Sequence, residues 1–566
     1  MKTRSLLVYV PGIPFDLEAF CPQRRLAALA GSLVHEGHET QILDFGTTTG
    51  FGSMNTPGLR GFAVRAWDGE KEEWRGATTW RRLLGLRERS PWERLLDEAV
   101  EHRTAEVVTE IDALAELDFV LFLLNTRKDL LATIPVAESL AARRPEIRRI
   151  AAGPFMDDYG AAVLSSSKAF HGACVGDAEV SVDLLADRIT RPERWNAVPN
   201  FLYADQGRIV RTPRDAANDL GRFPEPLYDV NIYPAMQNGK FKVFTVEHSR
   251  GSHHTVYGAA ELPWSARQVR TKSVEAMGRE IDRLVALFGA SAFHFSGEST
   301  PSQQVDRLGA ELFGRETPLL YSRDGHLSHS DPDSFRALAA SGCVAMHFRL
   351  DTGSQRLLED FYGHNFGITQ AEETLRACRA ADIFTQVSLT YPCPMDDRHT
   401  IAETLRILSR VKPNAASLAR PVVPPGSVWR DRAAEFGFLI EEKHSPQWGS
   451  LTAPKDRFTS DDGADWGYRM RGWTTAQIEE AVRAIHIEGT ELGIHMGGQG
   501  LLGLLARMSG LHGSEGDFME DAAKSLFTGD VSALRGLVDA FNARAIRPSN
   551  TIPFRSFAPV RVAVGN

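Results

Sequence analysis

The 566-residue sequence has little cysteine, no excess of positive charge and no long apolar run. Each shortage excludes something. Cys21, Cys174, Cys343, Cys378 and Cys393 are odd in number, scattered, and contain no C-x-x-C pair. They therefore build no disulfide framework and suit reduced thiols in a cytoplasm. Lys and Arg total 64 against 73 Asp and Glu, a net charge of −9. Phosphate contacts need a basic surface, so no nucleic-acid partner is expected. No segment reaches the roughly 18 apolar residues of a membrane span, so no membrane role is expected either. The opening "MKTRSLLVYVPGIP" has only a brief apolar stretch, and Pro11 and Pro14 follow it without a small-residue cleavage site. It reads as a first strand rather than a signal peptide.

What is present is an α/β pattern, too long for a single core. In the first two hundred residues, "SLLVYVP" (5–11), "TQILDFG" (40–46), "DFVLFLLN" (118–125), "RRIAAGP" (148–154) and "GACVGD" (172–177) read as strands separated by helices. Continuous apolar strands with helices between them make a parallel sheet covered on both faces, a Rossmann-like domain over 1–205. Ligands of such sheets sit at the C-terminal strand ends. The candidate contacts are Pro11, Asn125 and Thr126, the turn Gly153, Pro154 and Phe155, and the turn Gly176 and Asp177 with Glu179. Residues 47–115 interrupt the pattern and read as an insertion beside the site, a candidate lid. Residues 206–240, rich in Pro, Asn, Asp and Gly, read as a linker.

Alternation restarts at residue 241. "KVFTVEH" (242–248), "AFHFSGE" (292–298), "PLLYSR" (318–323), "CVAMHFRL" (343–350), "FTQVSLTY" (384–391) and "AASLARP" (415–421) are strand candidates with helices between them. Six such units over 241–440 make a partial (β/α)6 TIM-type barrel, with chemistry at the C-terminal strand ends. Residues 441–566 read as a helical C-terminal domain closing the barrel mouth, with Thr474 or Thr475 capping its first helix.

Several stretches resemble one family in order and spacing. "HEGHETQILDFG", "AAGPFMDDYG" and "GACVGDAEVSVDLL" are similar to the cobalamin-binding domain of the B12-dependent radical S-adenosylmethionine (SAM) family, of the class B methylase type. "FSGEST" (295–300), "FRLDTGSQRLLEDFYGHNFGITQAEETLRACRAADI" (348–383) and "PVVPPGSVWRDRAAEFGF" (421–438) resemble that family's barrel. The resemblance covers roughly residues 1–440. It implies cobalamin in the first domain, without a histidine ligand to cobalt, because the D-x-H-x-x-G motif is missing and His35 and His38 sit at a helix end. It implies S-adenosylmethionine on the barrel, its ammonium held by Gly297 and Glu298. Arg250, Ser322, Asp351 and Ser354 complete the implied cofactor set.

One motif departs from the family. In "VEHSRGSHHTVYGAAELPW" (246–264) the positions of the C-x3-C-x2-C cluster ligands read Ser252, Val256 and Ala259, and no cysteine lies between Cys174 and Cys343. A [4Fe-4S] cluster is held by thiolates, so none is expected. His248, His253, His254, His294 and His347 could bind a metal in principle, but adjacent His253 and His254 point different ways, and no metal is expected. Without radical chemistry, both cofactors together permit a polar methyl transfer to a small metabolite, as in natural-product biosynthesis. The protein supplies alignment and a general base, with His294, His347 and Tyr391 as candidates. Two alternatives stand beside this: a non-catalytic cobalamin-binding pseudoenzyme or partner subunit, and an enzyme making a different bond change such as cyclisation. A reductase is a candidate partner.

Overall fold

The computed structural model describes residues 2–12, 17–47, 56–73, 91–114, 116–215, 217, 219–239, 241–251, 269–297, 302–313, 319–329, 331–423, 427–440, 468–497, 500–508 and 515–545. Two seven-stranded sheets dominate it.

The first sheet contains β1 (Arg4–Tyr9), β2 (Glu39–Asp44), β3 (Phe119–Leu123), β4 (Arg148–Ala152), β5 (Gly172–Cys174), β6 (Phe201–Asp205) and β7 (Arg208–Arg211). Its order is β2-β1-β3-β4-β5-β6-β7, parallel through β5 and closed by an antiparallel hairpin. The β3 sequence FVLFL is buried at every position, as a strand covered on both faces requires. Leu7 and Tyr9 pack under the helices Arg24–His35 and Ala178–Ala186, while Leu6, Val8 and Val10 meet Val107, Val108, Ile111 and Leu130 on the other face. The strand order reverses direction between β1 and β3, and that switch point opens a crevice at their C-terminal ends.

Two boundaries differ from the sequence expectation. Part of the stretch read as an insertion is the helix Pro91–Asp112, which connects β2 to β3 and packs on the helix Arg127–Arg143. Strand β7 lies in the stretch read as linker. Gln206 and Gly207 both have positive φ, 47° and 79°, the signature of a tight hairpin turn whose twist matches the strands. The rest of the linker is anchored: the amide of Ile42 donates to the carbonyl of Ile232 at 2.7 Å, and the Tyr233 hydroxyl donates to Asp44.

The second sheet is all parallel. It runs in sequence order through β8 (Val243–Glu247), then β11 (Ala292–Ser296), β12 (Leu320–Gly325), β13 (Cys343–Asp351), β14 (Phe384–Thr390), β15 (Ala415–Ala419) and β18 (His495–Met496). Between them, β9 (Ser249–Arg250) pairs antiparallel with β10 (Arg270–Thr271), and β16 (Phe438–Ile440) with β17 (Tyr468–Met470). The helices sit where the sequence places them. Val274–Phe288 begins at Ser273, whose hydroxyl caps Ala276, and ends at Gly289 in the left-handed conformation.

Side chains alternate cleanly between the two faces. Phe244, Val246, Phe293, Phe295, Met346, Phe348, Val387 and Leu389 join the large core toward the helices. On the opposite face Val243, Ala292, Ala345, Phe384 and Ala415, all near the strands' N-terminal ends, pack against Leu501, Leu502, Leu504 and Leu505. Among its described residues the C-terminal segment is therefore not purely helical. It adds β17 and β18, and its helix Leu502–Met508 floors the sheet at the end opposite the expected chemistry. Small residues permit this: a Cβ on Gly503 would lie 2.7 Å from Phe384 Cδ1 and 2.8 Å from Ala345 Cβ. The helices Glu515–Thr528 and Val531–Ala545 follow, and Glu515–Thr528 also packs on Pro57–Glu73, with Arg60 and Asp530 paired at 2.6 Å.

Candidate functional site

Three groups of residues gather where C-terminal strand ends meet. The first lies at the β1–β3 switch point. Thr126 begins a helix, and three residues later Asp129 completes a capping box with it. The buried Asp129 carboxylate accepts the amides of Gly12 at 3.0 Å, Asn125 at 3.1 Å and Thr126 at 2.9 Å, fixing both strand ends relative to each other. The Pro11 carbonyl accepts Nη1 of Arg103 at 3.0 Å. Arg103 is buried, burial pushes its pKa down to about 9, and its Nε and Nη2 have no partner among the described residues.

Gly153 has φ 116°, and a Cβ there would fall 2.4 Å from the Leu124 carbonyl oxygen, so only glycine lets β4 end flush with β3. Pro154 starts the next helix, and Phe155 stacks on Tyr159 with centroids 4.8 Å apart. The Gly176 amide donates to Asp157 at 2.6 Å, and burial raises Asp157 to about 7. The histidines of this sheet lie elsewhere: His38 bonds Thr3 at 2.9 Å and His171 the amide of Arg149 at 3.0 Å, both at the N-terminal edge, while His35 and His102 are exposed.

The second group joins the two sheets. Asp177 and Glu179, read from sequence as cofactor contacts, are engaged by arginines from the second half of the chain. Arg250 Nη1 donates to Asp177 at 3.0 Å, and its Nη2 to Glu179 at 2.5 Å. Its Nε reaches Glu247 at 2.7 Å. Arg270 donates to both Asp177 oxygens, 3.1 Å at Oδ1, and to the Ala217 carbonyl at 2.8 Å. Glu247 also pairs with Arg24 at 3.2 Å. Burial alone would raise Asp177, but the two guanidinium groups hold it below the usual carboxylate range. Because β9 pairs with β10, Arg250 and Arg270 lie opposite each other at the foot of the loop that follows. The residues Ser252, Val256, Ala259, His253 and His254 on that loop lie outside the described residues.

The third group lines the inner face of the second sheet above its apolar floor. Strand β12 places Ser322 and Asp324 two residues apart on one face, and each meets a histidine from a flanking strand. His294 Nδ1 on β11 and Ser322 Oγ are 2.8 Å apart. His347 Nδ1 on β13 donates to Asp324 Oδ1 at 3.0 Å, and His347 Nε2 is buried with no partner among the described residues. Asp324 would be raised by burial, but the hydrogen bond and charge of His347, with His294 and His248, hold it low. Burial lowers His294, and burial with Arg323 beside it lowers His248 to about 3. Exposure grows toward the C-terminal ends: Ser322 2%, the His347 side chain 20%, Asp324 32%, Arg349 45%. Among the described residues the inner face is thus a well, closed at its apolar floor and lined by groups more exposed toward the C-terminal strand ends.

The remaining sequence candidates fall apart from one another. Gly297 has φ 153°, and a Cβ would lie 2.3 Å from Ser249 Oγ, itself buried and unpartnered among the described residues. Glu298 lies outside the described residues. Asp351 has φ 62° and is consumed locally, accepting His364 Nε2 at 2.8 Å and Thr390 Oγ1 at 2.6 Å. Ser354 is buried in the same turn, where Gly353 donates to Thr404 at 2.9 Å. Tyr391 lies just beyond β14, its hydroxyl buried with no partner among the described residues, and its pKa is raised by burial and then by Asp396, with Glu488 also near. The five cysteines are all buried, Cys343 at the floor end of β13 with Cys378 near it, and among the described residues no three His, Cys, Asp or Glu side chains could hold a metal.

Neither a family model nor a curated protein matches this chain. Solved structures do. The fold is similar to that of cobalamin-dependent radical S-adenosylmethionine enzymes. One similar structure is the radical S-adenosylmethionine methyltransferase TsrM from Kitasatospora setae, with cobalamin and a [4Fe-4S] cluster bound. The TM-score is 0.60 at 14% identity, covering 95% of this chain and 100% of that one. Another is the cobalamin-dependent S-adenosylmethionine radical enzyme OxsB, with aqua-cobalamin and S-adenosylmethionine bound. Its TM-score is 0.58 at 12% identity, covering 93% of this chain and 71% of that one. At these identities the likeness is one of fold.

Proposed function

We propose that this chain is a cobalamin- and S-adenosylmethionine-dependent methyltransferase that works without an iron–sulfur cluster and methylates a small molecule by polar chemistry. In this reading the first sheet is the cobalamin domain and the second a partial barrel. The observation that carries it is the combination of a fold matching TsrM over its full length with Ser252, Val256 and Ala259 where thiolates would be needed.

The residues present fit cobalamin. Gly12 and Gly153 let the chain pass close against Lys128 and Leu124 at the strand ends, Gly176 takes the positive φ of its turn, and Arg103 offers two buried donors there without a partner among the described residues. They fit S-adenosylmethionine in the tight Gly297 turn, where Ser249 Oγ lacks a partner among the described residues. They do not fit a cluster, since the loop carries Ser252, Val256 and Ala259 in place of thiolates. When bound, cobalamin supplies a metal centre that exchanges methyl groups as cation equivalents. The chain's own contribution is to hold methyl donor and acceptor in line between the two sets of strand ends and to exclude water. The Asp177 and Glu179 carboxylates with Arg250 and Arg270 fix one sheet against the other. A reductase as partner protein belongs to this reading.

The test is made on purified full-length protein. Stoichiometric corrinoid uptake by absorption spectroscopy is expected, with no [4Fe-4S] complement of iron after anaerobic reconstitution. Turnover should give S-adenosylhomocysteine and no 5′-deoxyadenosine. Iron at cluster stoichiometry, or 5′-deoxyadenosine formed in step with product, would overturn it. Corrinoid uptake with no turnover of S-adenosylmethionine would leave a carrier or partner subunit in its place.

A further inference from the structure

The strand pair around β12 does more than line a cavity. Two histidines face the same well, each held through Nδ1, but by different groups: His294 by a hydroxyl and His347 by a carboxylate. A carboxylate behind an imidazole fixes the Nδ1–H tautomer and stabilises the imidazolium when a proton arrives at Nε2. The Nε2 of His347 is the atom left without a partner among the described residues. His294, with a hydroxyl partner and a burial-lowered pKa, remains a neutral hydrogen-bonding group beside it. At this depth the other inward groups, Thr245, Gln386 and Ser417, are uncharged. Glu247, higher on β8, is already paired with Arg24 and Arg250.

We propose that the acceptor carries a hydrogen on its reacting atom, a neutral N–H or O–H nucleophile, and that His347 Nε2 removes it, with Asp324 as the positioning carboxylate. This rests on the methyl-transfer reading and narrows it. The nitrogen or oxygen lone pair forms the new bond to the methyl carbon. The electrons of its N–H or O–H bond remain on that atom as the proton passes to Nε2. The S–CH3 bond of S-adenosylmethionine breaks with its pair on sulfur, giving S-adenosylhomocysteine. No net electron enters or leaves, so no oxidant is consumed.

The full-length protein loaded with cobalamin is given S-adenosylmethionine and either azoles and phenols or, separately, tertiary amines and thioethers that have no proton to lose. Formation of S-adenosylhomocysteine with the protic set is expected. His347→Gln should lower kcat by on the order of 10²- to 10⁴-fold with KM and cobalamin uptake unchanged. Added imidazole should restore part of the rate to His347→Gly. Independently of turnover, ¹⁵N spectra of the histidine rings should show Nδ1–H on His347, and Asp324→Asn should disturb that tautomer. The proposal is overturned if His347→Gln turns over like the parent, if the aprotic acceptors react as fast, or if Asp324→Asn leaves the His347 ring unchanged. S-adenosylhomocysteine from neither set would defeat the methyl-transfer reading itself. Its formation with an indifferent His347→Gln would defeat only this inference.

Discussion

Removing the Asp177 carboxylate tests whether the ion pairs between the sheets stabilise the assembly. Asp177 is 1% exposed and accepts from Arg250, from both terminal nitrogens of Arg270 and from the Ala217 amide at 3.2 Å. In Asp177→Ala, Arg250 keeps Glu179 and Glu247, so its charge stays compensated. Arg270, 3% exposed at its side chain, keeps the Ala217 carbonyl, a neutral acceptor, so the loss falls on it. Stripping one partner from a buried pair costs roughly 3–5 kcal/mol. We expect a loss of that size in urea unfolding followed by tryptophan fluorescence. Asp177→Ala combined with Arg270→Met should recover about half, because the buried guanidinium that lost its carboxylate is gone. The pH dependence follows from the depressed Asp177 pKa. Its contribution is full above the unfolded value near 3.8 and is lost as pH falls through the lower folded value. The gap between parent and variant should therefore be constant at neutral pH and close in acid. An Asp177→Ala change under about 1 kcal/mol, or a double variant no better than the single, would refute the reasoning.

Three further outcomes are expected. Asp351, held down to about 2 despite burial by Arg349, His364 and Thr390, should contribute about 2 kcal/mol that disappears between about pH 4 and 2. Asp351→Asn, which tolerates the positive φ, should flatten that limb of the acid unfolding curve. Asp157 is raised to about 7 by burial, so it binds its proton more tightly folded than unfolded, and stability falls as pH rises from 3.8 toward 7. Asp157→Asn should raise the melting temperature at pH 8 and leave it unchanged at pH 4, because the Gly176 amide keeps an oxygen acceptor. Gly503→Val should cost about 1–3 kcal/mol in denaturant unfolding, since its branches meet Phe384 and Ala345 at the floor.

Much of the fold was legible, for a physical reason. Parallel strands covered on both faces must be continuous apolar runs, so β1 to β5, β8 and β11 to β15 stand out in the sequence within two or three residues of their observed ends. Strand β18 does not, because His495–Met496 is two residues long and borrows its register from β15 through the bond from the His495 amide to Asn414. The β6–β7 hairpin was readable in "ADQGRI", where Gly207 permits the turn, but its polar strand β7 was absorbed into a polar linker. The floor helix carried the misleading signal of a C-terminal helical cap. Only the small residues Ala292, Ala345, Ala415 and Gly503 mark where it lands, and small residues mark nothing until they are brought together.

The site divides along the same line. Strand parity alone puts His294 and His347 on one face with Ser322 and Asp324, and it would have drawn attention to Asp324, two residues beyond Ser322 on the same strand. Likewise the spacing of Thr126 and Asp129 announces a capping box, although the use of that carboxylate to hold Gly12 across the switch point is visible only in three dimensions. What no local pattern contains is charge pairing across 70 to 90 residues. Asp177 and Glu179 look like ligand contacts in a strand-end turn, and only the folded chain brings Arg250 and Arg270 to them. That pairing bears on function. The loop between Arg250 and Arg270 contains no cysteine, and both its feet are tied by buried ion pairs to the first sheet. The two sets of strand ends thus stay apposed by electrostatics in the chain itself, the condition that a polar transfer between them requires.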